Sequence, residues 1–300
     1  MIKYNIDQIE DIAFSNNTPY QLPIHTLETI ENLEKKVGSP NYVKTPVFKK
    51  QRQSTDDNWY NIRTFKTTKI KEINNKTEEI ITNIRTILNK LTQETFENNK
   101  EQLLNILNEN DLCKEDMLRV SELIFIIGSQ NTFYSELYAN LYKILMEKYE
   151  IMNDVFNRSF SNFIKLFDNI EYVNPDEDYD KFCVINKTNE TRRALSKFFI
   201  NLMNLNVIEE NIILDIILKL QEMIYNYMED KTKRNHIDEI TENIFILVTE
   251  GANKLNTTQE FKEIINNINK IQNINKKEYI GITNKTIFKN MDIIDYLNKS

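Results

Sequence analysis

The chain is poor in glycine and proline, with 4 Gly and 5 Pro in 300 residues. That is too few for the turns of a many-stranded β protein, or for the Gly-rich loops that cradle phosphates in α/β enzymes. Its 2 cysteines, Cys113 and Cys183, lie far apart and share no spacing with a histidine pair. This argues against a disulfide scaffold or zinc site and for a reducing compartment. Nowhere do about 18 apolar residues run together, as a membrane span requires. The opening stretch "MIKYNIDQIEDIAF" lacks the apolar core of a signal peptide, so a cytosolic or nuclear protein is expected. Catalytic signatures are missing too: the sequence contains no G-x-S-x-G, no P-loop and no H-E-x-x-H. Neither His25 nor His236 stands near a nucleophile or a second metal ligand. The acidic run Asp176, Glu177, Asp178 follows Asn174 and Pro175 and reads as a solvated loop rather than a metal cluster. Neither an enzyme nor a cofactor is expected.

What is present is a soluble globular composition, 40% apolar and 28% charged, with a formal net charge of −7. Two regions differ. Residues 1–69 hold Pro19, Pro23, Pro40 and Pro46 and show no sustained helical period. They read as an extended arm, with a short helix around Ile6 to Phe14. The arm is basic from Lys44 to Lys71, through Lys49, Lys50, Arg52, Arg63, Lys66 and Lys69, against Asp56 and Asp57. A solvated linker and a phosphate-contacting segment both fit such a run. Trp59, the only Trp, and Phe48 are candidate anchors in this polar arm.

From about Glu72 the apolar period becomes 3.6. Ile80, Ile84, Ile87 and Leu91 make one stripe, Leu103, Leu104 and Leu107 the next, and "MLRVSELIFII" a third. "FYSELYANLYKILMEKY" and "MNDVFNRSFSNFIKLFDNI" follow. After the acidic loop "EYVNPDEDYDK" come "RRALSKFFINLMNL", "EENIILDIILKLQEMIYNYM", "HIDEITENIFILVTEGANKL", "TQEFKEIINNINKI" and a helix near Phe288 to Leu297. About ten helices of roughly 13 to 22 residues with short loops define an all-α fold. Helix pairs of roughly 40 residues predict a HEAT-type solenoid over residues 70–300. Such stacks leave long faces free for partners.

One joint carries further information. In "ILNKLTQETF", Ile87 to Phe96, one helix ends and a threonine stands ready to cap the next. Thr92 at the N-cap and Thr95 at N3 are not the Ser/Thr-x-x-Glu/Gln box, yet a threonine hydroxyl can accept from the first free N–H groups. This stretch resembles the first helical hairpin of the middle domain of eukaryotic translation initiation factor 4 gamma. Three more stretches resemble that family in the same order: "YANLYKIL" (Tyr138 to Leu145), "TRRALSKFFINLMNLNVI" (Thr191 to Ile208) and "ITNKTIFKNMDIIDYL" (Ile282 to Leu297), with Phe288 and Asp292 on matching positions. The likeness spans Ile70 to Leu297. It departs where Ser196 replaces a usual glycine, and at Thr286, Lys289 and Asn290 of the closing helix.

The resemblance implies a cytoplasmic scaffold that holds a DEAD-box RNA helicase of the initiation factor 4A type in an arrangement productive for ATP turnover. Carried over residue by residue, it points to Leu88, Asn89, Lys90, Leu91 and Phe96 at one end and Phe288 at the other. Leu88, Leu91 and Phe96 fit core packing equally well; Asn89 and Lys90 have no core reason to be there. In the arm, Tyr4 followed by Ile9 matches the cap-binding-subunit motif of the family, with Glu10 in place of its second apolar residue, and "YQLPIHTLETI" resembles the segment after that motif. Lys49, Lys50, Arg52, Arg192 and Arg193 are the expected mRNA contacts. Related middle domains of RNA decay, splicing and nuclear cap binding are the neighbouring reading. A structural helical-repeat protein without an RNA role is the reading of another class.

Overall fold

A computed structural model describes residues 22–37, 76–110 and 112–299. The described residues are all-α, without strands. The chain divides into two compact units, Met1–Lys69 and Ile70–Ser300.

In the first unit the described part is α1, Ile24–Val37. A helix replaces the extended backbone expected there, and the reasons are local. Pro23 lacks only an N–H that a helix start leaves unused, and its carbonyl accepts from the amides of Thr26 and Leu27. Ile24, Leu27, Ile30 and Leu33 then recur every third residue along one exposed side.

The second unit holds α2 (Lys76–Leu88), α3 (Phe96–Glu109), α4 (Lys114–Gln130), α5 (Ser135–Lys148), α6 (Glu150–Ser161), α7 (Tyr179–Asn204), α8 (Glu210–Tyr227), α9 (Arg234–Leu255), α10 (Gln259–Gln272) and α11 (Asn284–Lys299). Helices α2, α4, α7, α9 and α11 pack side by side in that order. The others lie against the row: α3 on α2, α5 on α4 and α7, α6 on α4 and α5, α8 on α9, and α10 on α8 and α11. Cross-links set the direction of the row. Glu78 pairs with Arg119 near the starts of α2 and α4, Arg193 and Lys197 of α7 pair in turn with Glu239 and Glu250 of α9, and Glu242 pairs with Lys285 and Lys289. Ser135, just past the end of α4, meets Asn201 near the end of α7. The five helices of the row therefore run parallel, and their C-terminal ends, with the joints that follow, share one edge.

Two differences from the sequence expectation have physical causes. The expected helix "MNDVFNRSFSNFIKLFDNI" breaks after Ser161 into a 3-10 turn, Ile164–Phe167. The Phe163 amide bonds the Phe160 carbonyl and the Leu166 amide the Phe163 carbonyl, three-residue bonds that tighten the chain there, and buried Phe163 and Phe167 pack edge to face with centroids 5.3 Å apart. Helix α7 begins at Tyr179 instead of near Arg192. Its cap is Asp178, whose Oδ1 accepts from the Lys181 amide at 2.9 Å. The first three turns bury only Ile185, so no apolar period announces them.

The core between the layers is aromatic at its centre. Phe125, Tyr142 and Phe198 meet edge to face with centroids 5.6–5.8 Å apart, and Phe199 joins Phe156, Phe160 and Phe163 beside them. Gly281 in the loop before α11 donates its amide to the Met228 carbonyl at 2.8 Å. A Cβ there would come within 2.7–2.9 Å of the backbone oxygens of Tyr227, Met228 and Asp230. Backbone oxygens cannot swing aside as a side-chain end can, so Gly281→Ala is expected to destabilise the unit by about 1–3 kcal/mol, measured by chemical denaturation.

Candidate docking edge and its flanking charges

The joint between α2 and α3 divides its residues cleanly. Leu88, Leu91 and Phe96 are buried at 1%, 2% and 8% exposure and belong to the core. They are thus not a contact surface: of the two roles open to them in the sequence, packing is the one they fill. Asn89 and Lys90 project outward, both exposed. Among the described residues no carboxylate lies within ion-pair distance of Lys90.

Two threonines hold this geometry. The Thr92 amide donates to Thr95 Oγ1 at 2.9 Å and the Thr95 amide to Thr92 Oγ1 at 3.3 Å. The bonding is reciprocal, as in a capping box, but it lies in the turn before α3, whose N-cap is Thr95 and not the expected Thr92. Thr95 Oγ1 also donates to the Lys90 carbonyl at 2.6 Å, tying down the residue whose side chain points away. From inside, buried Tyr138 of α5 donates its hydroxyl to the Leu88 carbonyl at 2.7 Å and satisfies one of the free carbonyls of the helix end.

A further joint of the edge, between α7 and α8, is fastened from its neighbours. Lys143 of α5 donates to the Leu205 carbonyl at 3.1 Å, and Lys254 of α9 to the Met203 carbonyl at 3.3 Å, both at the end of α7. Lysine at the last carbonyls of a helix also meets the negative end of its dipole.

At the other end of the row stands α11. Ile287 and Ile293 are buried against α9 and α10, while Phe288 on the outer side is 60% exposed. Helix α11 stands four helix spacings of about 8–10 Å from α2, so Phe288 lies roughly 32–40 Å along the row from the first joint.

Arg192 and Arg193, expected as RNA contacts, are placed otherwise. Arg192 is 4% exposed, donating Nε to the Leu166 carbonyl at 3.0 Å and Nη1 to Asn189 Oδ1 at 2.6 Å. Its guanidinium lies 3.8 Å from Glu239. Arg193 makes a two-pronged bond to the same carboxylate. Glu239 Oε1 accepts in addition from Asn243 Nδ2 at 3.1 Å, and Asn243 Oδ1 accepts from Ser196 at 2.7 Å. Ser196, which stands where the family it resembles has glycine, thus completes a buried polar seam between α7 and α9. Burial pulls the Arg192 pKa down against the opposing field of Glu239. For Arg193 burial acts the same way, but the bond to Glu239 and the charges of Glu239, Glu242 and Glu190 hold its pKa above the usual value. A guanidinium committed in this way is a structural cation, not a phosphate ligand.

His236, near the start of α9, has its pKa lowered, by burial first and then by the charges of Lys233 and Arg192, against Asp230. The folded state thus holds this proton more weakly than the unfolded chain. The stability it contributes is complete above the unfolded value of about 6.5 and is lost as pH falls below it. The melting temperature of the wild type is expected to drop more between pH 7 and pH 5 than that of His236→Gln, as a thermal melt series would show.

Tyr4, Ile9, Phe48, Lys49, Lys50, Arg52 and Trp59 lie outside the described residues. Among the described residues no helix is long and apolar enough to cross a membrane. No family model matches the chain, and the comparison with curated proteins finds none that is similar.

Proposed function

We propose that the chain is a translation-initiation scaffold of the initiation factor 4 gamma middle-domain type, and not itself an enzyme. Its second unit is then a HEAT-type solenoid of helix pairs that binds a DEAD-box RNA helicase of the initiation factor 4A type. The arm adds, on this reading, a cap-binding-subunit contact at Tyr4 and Ile9 and weak mRNA contacts at Lys49, Lys50 and Arg52.

The order of packing supports the solenoid, because each helix of the row meets the next and a second layer of helices covers the row. The observation that carries the function is the division of labour within the first joint. Leu88, Leu91 and Phe96 fold the joint, and exposed Asn89 and Lys90, the latter without an ion-pair partner among the described residues, are left with no packing task. An exposed Phe288 far along the row supplies the second contact that a clamp on a two-lobed helicase needs, since one contact holds a lobe but cannot set the angle between lobes.

The test is equilibrium binding of the full chain to a purified helicase of this type, together with the ATPase rate of that helicase. Binding with a raised ATPase rate is the expected result; no binding would overturn the proposal. Retention on a cap column through the cap-binding subunit, lost on changing Tyr4, would separate an initiation scaffold from its relatives in RNA decay or splicing.

A further inference from the structure

We infer that Phe133, in the joint between α4 and α5, is an apolar anchor of the same docking edge and inserts into the helicase lobe that meets Asn89 and Lys90. The inference rests on the helicase reading above.

Phe133 is 84% exposed, in the one-turn connection Asn131 to Tyr134. An aromatic side chain so placed contributes nothing to the core, and turn chemistry favours small polar residues there. The ring is nevertheless held. It packs edge to face on Tyr134 with centroids 4.7 Å apart. The Tyr134 amide donates to Asn131 Oδ1 at 2.9 Å, and the Tyr134 carbonyl accepts from the Tyr138 amide at 3.0 Å. The turn that carries the ring is thus fixed, and a phenylalanine side chain has only two rotatable bonds to order on binding.

Its position follows from Tyr138. That side chain, five residues on, bonds the Leu88 carbonyl and so binds the α4–α5 joint to the α2–α3 joint. Adjacent helices of a packed row stand about 8–10 Å apart. A standard interface buries about 800 Å² on each partner, a patch roughly 30 Å across. A lobe seated on Asn89 and Lys90 therefore covers the neighbouring joint as well. The chemistry it must present is an apolar depression for the Phe133 ring beside a carboxylate for Lys90. Exposed aromatics of this kind carry most of the energy of interfaces, whereas a rim lysine contributes chiefly charge steering.

The test compares the full chain with Phe133→Ala, Phe133→Leu and Lys90→Glu in equilibrium binding to a purified DEAD-box helicase of the 4A type, with melting temperatures in parallel. Phe133→Ala is expected to weaken binding roughly 10- to 100-fold, Phe133→Leu much less, and neither to shift the melting temperature. Undiminished affinity of Phe133→Ala, with Lys90→Glu weakened, would overturn the anchor and leave the helicase reading intact. A wild-type chain that binds no helicase would overturn both.

Discussion

Replacement of Glu239 by glutamine is expected to destabilise the second unit by about 3–5 kcal/mol, the range found when one member of a buried ion cluster is removed. The carboxylate is 3% exposed and is the single anion shared by Arg192 and Arg193. Without it Arg192 remains buried with its charge uncompensated, its Nε and Nη1 bound only to neutral acceptors, the Leu166 carbonyl and Asn189. Glutamine keeps the size and one acceptor, so the loss reports charge rather than a cavity. For a unit of this size the melting temperature should fall by roughly 6–20 °C. Glu242→Gln is the control. Glu242 pairs with Lys285 and Lys289, both less buried than Arg192, so it should cost under about 1 kcal/mol. Equal losses in the two variants would show that the seam between α7 and α9 owes nothing to its buried charge.

Reversing the charge at Lys90 is expected to act on binding and leave folding alone. The side chain is exposed and pairs with no described carboxylate, so Lys90→Glu removes no internal contact. Its backbone, through which Thr95 ties the joint, is unchanged. Stability should stay within about 0.5 kcal/mol of the wild type. Helicase affinity should fall by roughly 1–3 kcal/mol, because an anion would then face the carboxylate that lysine is proposed to meet. Affinity, helicase ATPase and melting temperature measured on the same preparation decide the matter. Normal affinity in a normally folded variant would reduce the joint to an ordinary turn. Phe288→Ala is a second probe of the clamp, and since Phe288 is 60% exposed its loss should leave the core intact.

The all-α class, and most of the helices, were legible in the spacing of apolar residues. Ile80, Ile84, Ile87 and Leu91 all prove buried, as their period of 3.6 requires. The bonding of Thr92 to Thr95 was legible too, because it is made within four residues. Where apolar residues are sparse the period is silent. The first turns of α7 bury Ile185 alone, so no apolar period points to a helix before Arg192. In α1 the proline content of the arm points away from a helix, although the place of Pro23 just before it makes that residue a starter.

Determined by the sequence alone, then, were the helices, their short joints and the contrast within "ILNKLTQETF" between residues suited to packing and residues with nothing to pack against. Which surfaces remained free was decided only by tertiary structure. Arginine is ordinarily an exposed residue, and nothing beside Arg192 and Arg193 in the chain says otherwise. The burial of Arg192 and the half-burial of Arg193 depend on Glu239, 46 residues beyond Arg193 and brought alongside by the packing of α9 on α7. Phe133 is the converse case, an ordinarily buried residue left outside because the joint that carries it turns at the edge of the stack. Local spacing determines local conformation, whereas exposure is a sum over neighbours from the whole chain, and those neighbours meet only when the helices are stacked.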